Sequence, residues 1–280
     1  MRIYLSICIL VLGLASPSGG SAEDIKKRVK GMPPSPFAIS LGVDAPLLSA
    51  SLGAWIIPTF ISGGMPGPAC DPCDPSGLNA LDRPVIDYAS YEADILSDVA
   101  LVAVPVLALS VTFVHFPIWG WQGVFEDFVM IAEAMALSGL VQQITRYAVR
   151  RPRPFMYREG VQLASRHKVG ATLSFFSGHT TLAFSSATAF AYIFTVRQPD
   201  SPWVPLVWIT SMLGASVMPV ARVFSGEHFW TDVIVGAGVG AAFGILIPAL
   251  HRTAQAKFGK QNVHLTGGPG DAGLGVVGRF

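Results

Sequence analysis

Five long apolar segments constrain the fold of this chain more than any other feature of its sequence. They cover residues 99–116, 125–140, 182–196, 203–220 and 233–250, and each approaches the ~20 residues that a helix needs to cross a membrane. Lipid offers no hydrogen-bond partners, so such segments fold as helices, which satisfy their own backbone groups. The charged share is 13%, whereas soluble domains have about 25%. We therefore predict an all-α, polytopic membrane helical bundle.

Residues 41–60 form a sixth and weaker apolar segment. The segment carries Asp44, Pro46 and Pro58, and a proline inside a helix removes a backbone hydrogen bond. It could span the membrane, re-enter it or lie at its interface, so we expect about five to six spans. We assign it, with a cysteine-containing loop, to an N-terminal connector over 23–96. A membrane core over 97–250 and a flexible tail over 251–280 follow.

The first residues have the pattern of a signal peptide. A basic start at Arg2 precedes a short apolar stretch over 3–15, and the small residues Gly20, Ser21 and Ala22 follow. This order predicts a signal peptide over 1–22, with an uncleaved signal anchor as the alternative. Both favour export and a place in a bacterial inner membrane.

Two cysteines remain once Cys8 in the leader is set aside. Cys70 and Cys73 lie in the sequence Cys-Asp-Pro-Cys. In an exported loop they could form a short disulfide, and unpaired thiols are the alternative. A zinc site would need two further ligands, and no nearby pattern supplies them.

The polar residues of the core gather in three short blocks at segment ends. The blocks cover 146–154, 176–179 and 222–232. With alternating spans, all three fall on one face of the membrane, where they can meet. The net charge is only +1, so no overall field attracts nucleic acid, and any anion site must be local.

The three blocks supply the groups of a phosphate site. Arg146, Arg153 and Arg222 carry forked donors that suit phosphate oxygens. Ser177 and Gly178 begin a helix, where free backbone N–H groups and the helix dipole favour an anion. Glycine there allows the backbone to approach the anion closely.

Two histidines accompany these phosphate-binding groups. Asp232 follows His228 by one helical turn, so the carboxylate can hold the proton of one ring nitrogen. The other nitrogen of His228 is then free to attack phosphorus. His179 is placed to protonate the leaving oxygen. We therefore predict His228 as nucleophile, His179 as general acid and Asp232 as the orienting carboxylate.

The remaining charged residues have simpler interpretations. We interpret Arg150, Arg151 and Arg158 as anchors to lipid headgroups, since arginines at a membrane face commonly have that role. Glu133 lies within an apolar segment, where it could line a substrate groove, pair with an arginine or lie near the interface. Three further acidic residues are expected to be solvated or at headgroup level: Glu126, Asp127 and Glu227.

The three blocks resemble the signature of the type 2 phosphatidic acid phosphatase superfamily. That signature is Lys, six residues, Arg-Pro; then Pro-Ser-Gly-His; then Ser-Arg, five residues, His, three residues, Asp. The resemblance covers roughly residues 97–250. The chain departs from the signature at three positions: Arg146 stands for lysine, Phe176 for proline and Ala221 for serine.

The resemblance implies a phosphohistidine on His228, with His179 as acid and then base, and no metal or other cofactor. The implied substrate is a lipid phosphate such as phosphatidic acid, phosphatidylglycerol phosphate, an isoprenoid diphosphate or a phosphorylated lipid A. A lipid phosphotransferase is one rival within the superfamily, and a vanadate-binding haloperoxidase is another. A catalytically silent scaffold or transporter is the rival from a different class.

The orientation of the site depends on the 41–60 segment. If this segment does not span and the leader is cleaved, five spans leave the active face outside the cytoplasm, which the resemblance favours. If the 41–60 segment spans the membrane, the active face lies on the cytoplasmic side. The arginines that follow residue 146 favour the inward orientation by the positive-inside rule, although several of them have a catalytic explanation. We therefore expect a site facing the periplasm.

Overall fold

The computed structural model describes residues 34–61, 70, 72–161, 169–253, 264–266 and 275–277. Within these ranges, six helices of 20 or more residues account for most of the chain. They are α1 (Leu41–Ile61), α2 (Tyr91–Ser110), α3 (Phe116–Val149), α4 (Gly178–Arg197), α5 (Val204–Phe224) and α6 (Trp230–Leu250). The predicted signal peptide lies outside the described residues.

Short elements join and follow these helices. Five 3-10 turns occur at Pro75–Gly77, Arg83–Asp87, Val111–His115, Pro154–Tyr157 and Val169–Thr172. Two strands, β1 (His264–Thr266) and β2 (Gly275–Val277), pair antiparallel within the tail that the sequence predicts to be flexible. Helix α2 begins before residue 97, where we expected the core to begin.

The weak segment at 41–60 is a continuous helix. Helix α1 contains Pro46 and Pro58, and the Asp44 carboxylate accepts a hydrogen bond from Ser40 N at 2.6 Å, which caps the helix start. Among the residues that the structure describes, four helical stretches are long and apolar enough to cross a membrane: Leu41–Pro58, Tyr91–Tyr157, Val204–Phe224 and Trp230–Leu250. The second includes both α2 and α3. The predicted all-α, polytopic bundle is confirmed.

Helix α4 lies at the centre of the bundle and contacts α2, α3, α5 and α6. Its buried face consists largely of alanine, serine and threonine. Gly236, Gly240 and Gly244 of α6 face it, and a Cβ at Gly240 would lie 2.4 Å from Thr181 O. The glycine stripe therefore brings two backbones together, as its four-residue spacing predicts.

The ends of the helices fall into two groups. At one end, Ser177 N donates to Asp232 O at 3.1 Å, and Ser90 N donates to Phe224 O at 3.0 Å. These bonds bring together the starts of α2, α4 and α6 and the end of α5. The three polar blocks therefore lie on one face of the bundle, as expected from the alternation of spans.

A buried ionic cluster lies at the opposite end. Arg197 pairs with Asp127 at 2.7 Å and with Glu126 at 3.0 Å, and Asp127 also contacts His115 Nδ1 at 2.6 Å. All four side chains are buried. The interpretation of Glu126 and Asp127 as solvated charges was therefore wrong, because Arg197, far along the chain, neutralises both.

Candidate active site

His228 lies in the loop between α5 and α6, where it is almost completely buried. Its Nδ1 lies 2.8 Å from Ser174 O and 3.7 Å from Asp232 Oδ2. A carbonyl oxygen can only accept, so Nδ1 carries the proton and Nε2 keeps its lone pair. Burial lowers the pKa of His228 to about 4, so the imidazole is neutral at physiological pH. The sequence did not reveal Ser174 as the acceptor.

Asp232 organises the surroundings of His228. Its carboxylate accepts hydrogen bonds from Ser174 Oγ at 2.5 Å, Phe229 N at 2.9 Å and Arg151 Nη1 at 2.5 Å. The bond to Ser174 fixes the loop whose carbonyl holds His228. Asp232 therefore orients the histidine through Ser174 as well as through its own charge.

Arg151 is part of this framework. Its guanidinium bridges Asp232 and Asp82, with Nη2 2.8 Å from Asp82 Oδ2, and lies 4.2 Å from the centre of the Phe229 ring. The interpretation of Arg151 as a headgroup anchor was therefore wrong. Spacing within the first block gave no sign of the contact between Arg151 and Asp82, because Asp82 belongs to the distant connector.

Asp82 ties the connector to the site. It accepts hydrogen bonds from Thr231 Oγ1 at 2.6 Å and Thr231 N at 3.1 Å, as well as from Arg151. Although burial opposes it, these donors hold the pKa of Asp82 below its ordinary value. The 70–90 region therefore closes over the site end of the bundle, where Cys70 and Cys73 form a disulfide.

Arg153 and Arg222 converge on Glu227. Arg153 Nη1 donates to the Glu227 carboxylate, and Arg222 Nη2 lies 3.3 Å from the same oxygen. Although burial opposes it, the two guanidinium charges hold the pKa of Glu227 below its ordinary value. The expectation of a solvated Glu227 was wrong, because this carboxylate lies between two of the predicted phosphate-binding arginines.

Helix α2 adds acidic residues to the same region. Arg222 Nη1 donates to Asp94 at 3.0 Å and to Ser97 Oγ at 3.1 Å. His179 Nε2 lies 3.8 Å from Asp98 and interacts electrostatically with Arg222, His228 and Arg153. The two histidines and two of the arginines thus form one cluster. The sequence did not point to the α2 carboxylates, which precede the apolar segment.

The start of α4 faces this cluster. Ser177 Oγ caps the helix by accepting from Thr180 N at 3.4 Å, and Gln142 Nε2 donates to Phe176 O at 2.9 Å. A Cβ at Gly178 would lie 3.2 Å from the Gln142 side chain. The first amides of α4 have no acceptor within the helix, so the N–H groups of Gly178 and His179 are left without a helical partner.

Arg146 forms no hydrogen bond with the other predicted phosphate ligands among the contacts of the described residues. Its guanidinium carbon lies 5.1 Å from the centre of the Tyr147 ring, and its Nε is buried without a hydrogen-bond partner. No contact among the described residues links Arg146 to Arg153 or Arg222. The contacts of the described residues bring together five predicted residues, with Ser177 and Gly178 beside them, and tie Arg146 to none of them. The five are His179, His228, Asp232, Arg153 and Arg222.

An apolar groove of about 630 Å³ lies at the site end of the bundle. It lies between α2 and α5, lined by Leu96, Leu213, Val217 and Val220 among others. Its wall includes Ala221, the residue before Arg222. The groove therefore lies on the surface of α2 and α5, and none of the clustered histidines and arginines lines it.

The comparisons with known proteins agree with the three sequence blocks. The chain is similar to the crystal structure of the first transmembrane PAP2 type phosphatidylglycerolphosphate phosphatase from Bacillus subtilis. That similarity has 16% identity and a TM-score of 0.43, and covers 89% of this chain and 94% of that one. A model of the PAP2 superfamily matches residues 127–256, a region that contains all three blocks. The region of the three blocks is therefore similar to the PAP2 superfamily.

Proposed function

We propose that this membrane phosphatase hydrolyses a lipid phosphate or isoprenoid diphosphate through a phosphohistidine on His228. The observation that carries the proposal is the cluster of His228, His179, Arg153 and Arg222 at one end of the bundle. A neutral imidazole with a free Nε2 is a nucleophile. Two guanidinium groups and the first amides of α4 can bind the phosphate oxygens.

In the proposed reaction the two histidines have different roles. The Nε2 lone pair of His228 forms a bond to phosphorus as the bond to the leaving oxygen breaks, and His179 gives that oxygen a proton. Water then loses a proton to His179 and attacks phosphorus, and the electron pair of the P–N bond returns to Nε2. Ser174 and Asp232 hold the ring during both steps.

The α2–α5 groove supports a lipid substrate. Its lining is mainly apolar and faces the hydrocarbon, while its wall reaches the residue before Arg222. An amphiphile can place its chain in the groove and its phosphate at the arginines. Since the headgroup charge is met by guanidinium and backbone donors, we expect turnover without a catalytic metal.

Substitution of His228 tests the mechanism directly. We expect His228→Ala to lose more than about 99% of phosphatase activity, since no other described group can accept the phosphoryl group in this way. Wild-type protein mixed with ³²P-labelled substrate and quenched in alkali should carry an acid-labile label that His228→Ala lacks. Asp200→Asn, in the exposed loop between α4 and α5, serves as the control. Activity above about a hundredth of wild type in His228→Ala would exclude this nucleophile.

A phosphotransferase is the second candidate, because an alcohol can replace water in the second step. Adding a short-chain alcohol during turnover separates the two. A transferase forms phosphorylated alcohol at the expense of inorganic phosphate, whereas a hydrolase continues to release inorganic phosphate.

We propose further that the site faces the periplasm. The disulfide of Cys70 and Cys73 lies in the region that closes over the site, and disulfides persist in oxidising compartments. The disulfide therefore supports a site that faces the periplasm, as expected from the sequence. If α1 spans the membrane and the leader is cleaved, the alternation of spans favours a site that faces the cytoplasm.

A further inference from the structure

Three ionisable side chains meet at a second place in the bundle, remote from the phosphatase site. Asp44 lies in the first turn of α1, Glu133 lies in the middle of α3, and His251 follows α6. Their ligand atoms lie within 4.8 Å of one another. Because α6 begins at the site and rises 1.5 Å per residue, His251 lies about 30 Å from it.

Glu133 is the least satisfied member of this group. Its side chain is completely buried, and neither carboxylate oxygen has a hydrogen-bond partner. Burying an ionised carboxylate without a partner costs several kcal/mol. No arginine meets it among the described residues, contrary to one expectation from the sequence. A cation beside the Glu133 carboxylate would therefore stabilise its ionised form.

His251 is oriented to act as a ligand. Its Nδ1 donates to Ile247 O at 2.8 Å, which leaves Nε2 directed at the two carboxylates. A histidine that binds a metal commonly donates its other ring N–H to a backbone carbonyl in this way.

Asp44 is held in place by a hydrogen bond on the side away from His251. Its Oδ2 accepts from Ser40 N at 2.6 Å, and its Oδ1 lies 3.5 Å from His251 Nε2. One oxygen therefore caps α1, while the other faces the histidine.

The distances between the ligand atoms are compatible with a shared metal ion. His251 Nε2 lies 3.4 Å from Glu133 Oε2 and 3.5 Å from Asp44 Oδ1, whereas a charged hydrogen bond spans about 2.7–2.9 Å. Two ligands about 2.05 Å from a tetrahedral zinc ion lie about 3.3 Å apart. The two spacings of His251 are longer than a charged hydrogen bond and close to that of two ligands of one ion.

We propose that Asp44, Glu133 and His251 bind a divalent first-row metal ion such as Zn²⁺. Two carboxylates and a neutral imidazole supply nitrogen and oxygen ligands, and water completes the set. The ion balances both buried negative charges. Because His251 and Asp44 are slightly exposed, water and ions can reach it. The ion joins α1 to α3 and to the end of α6, so its role is structural.

The full-length protein, purified in detergent through a tag without histidines, tests this site. After removal of metals with a chelator, Zn²⁺ or Mn²⁺ is titrated by calorimetry and the melting temperature is measured. We expect one equivalent to bind and the melting temperature to rise. Glu133→Gln, which keeps the side-chain size, should weaken binding at least about tenfold. Asp200→Asn is the matched control and should bind as wild type does.

A second pair of variants separates this site from the phosphatase site. We expect His179→Ala to bind one equivalent while lacking phosphatase activity, and Glu133→Gln to keep phosphatase activity while lacking the metal-dependent rise in melting temperature. If Glu133→Gln fails to fold, the metal-stripped and reloaded wild-type protein still gives the answer. The proposal is overturned if wild-type protein takes up no stoichiometric ion, or if Glu133→Gln binds as tightly as wild type.

Discussion

Glu227 places a carboxylate between the arginines that would bind phosphate. It contacts both Arg153 and Arg222, and the negative charge relieves the repulsion between the two guanidinium groups. A phosphate group that binds the same donors must displace this carboxylate or share them with it. Glu227 is therefore an internal competitor of the substrate.

Removing the charge of Glu227 should strengthen anion binding. At an effective dielectric constant of about 20, charges 4 Å apart interact by about 4 kcal/mol, of which desolvation of the arginines offsets a part. We expect Glu227→Gln to lower the inhibition constant of vanadate at least about fivefold, measured in the phosphatase assay. Glu159 is exposed on the same face of the bundle. Glu159→Gln removes the same charge and should have no effect on vanadate inhibition. Weaker vanadate inhibition in Glu227→Gln would instead assign Glu227 a role in holding the arginines in place.

Arg146 presents the opposite case, a predicted ligand without contacts to the cluster. The spacing to Arg153 selects Arg146 over Arg150, and Arg150 ends α3 in a left-handed conformation with φ 51°. The buried, unpartnered Nε of Arg146 leaves donors available to a bound phosphate.

We expect Arg146→Ala to reduce kcat/KM by at least about tenfold, because two arginines leave part of the phosphate charge of about −1.5 to −2 uncompensated. Arg146→Lys should retain part of the activity, and Arg150→Ala should matter much less. Steady-state kinetics on the three variants measure this. A larger loss in Arg150→Ala than in Arg146→Ala would show that the first block is aligned incorrectly.

At the residue scale, the sequence predicted what lies within the blocks and missed what reaches them from elsewhere. The spacing of Arg222, His228 and Asp232 is local and could be recognised. Asp82 and Asp94 lie far along the chain, so only the packing of the 70–90 region and of α2 reveals their contacts with Arg151 and Arg222.

At the scale of elements, the site depends on how closely α6 packs against α4. Helix α4 carries His179 and helix α6 carries Asp232. The backbones meet along Gly236, Gly240 and Gly244, where an added Cβ would lie 2.4–2.7 Å from a carbonyl oxygen of Ser177, Thr181 or Ser185. The glycines thus fix the distance between the helix that carries His179 and the helix that carries Asp232.

Gly240→Ala should separate the helices and reduce activity. The added Cβ would meet Thr181 O at 2.4 Å, and a backbone atom cannot move aside as a flexible side chain can. We expect a lower melting temperature and a loss of kcat/KM of at least about tenfold, since small displacements at a catalytic site are costly. Gly238→Ala is the control on the same helix, because nothing lies within 4 Å of its Cβ position. Equal effects of both changes would rule out the packing explanation.

At the scale of the whole molecule, α1 is what the sequence left undecided. Asp44 lies beside Glu133, whereas Pro58 O accepts a hydrogen bond from Tyr147 Oη at 3.3 Å. Helix α1 therefore runs parallel to α3 along most of its length. The two prolines of α1 argued against a membrane-spanning helix. The hydrogen bond from Ser40 N to Asp44 caps the helix start, and packing against α3 stabilises one side of the helix. These tertiary contacts override the local signal.

The course of α1 places both ends of the described bundle on one face. Phe37 forms a β-bridge with Arg252, and Ala38 N donates to His251 O at 2.9 Å. The phosphatase cluster lies at the other end of the helices. A periplasmic site therefore requires Phe37 to be cytoplasmic, whereas cleavage of an exported leader at residue 22 would leave Phe37 outside.

Labelling of single cysteines decides between these orientations. Cys8, Cys70 and Cys73 are replaced by serine, and a cysteine is introduced by Glu159→Cys or by Asp200→Cys. Glu159 is exposed at the site end and Asp200 is exposed in the loop at the opposite end, so a membrane-impermeant maleimide should react with only one of them in intact spheroplasts. The disulfide of Cys70 and Cys73 lies at the site end, which favours a periplasmic site. We therefore expect Glu159→Cys to be labelled in intact spheroplasts and Asp200→Cys to be labelled only after lysis. The reverse pattern would place the site in the cytoplasm, where the arginines after residue 146 obey the positive-inside rule.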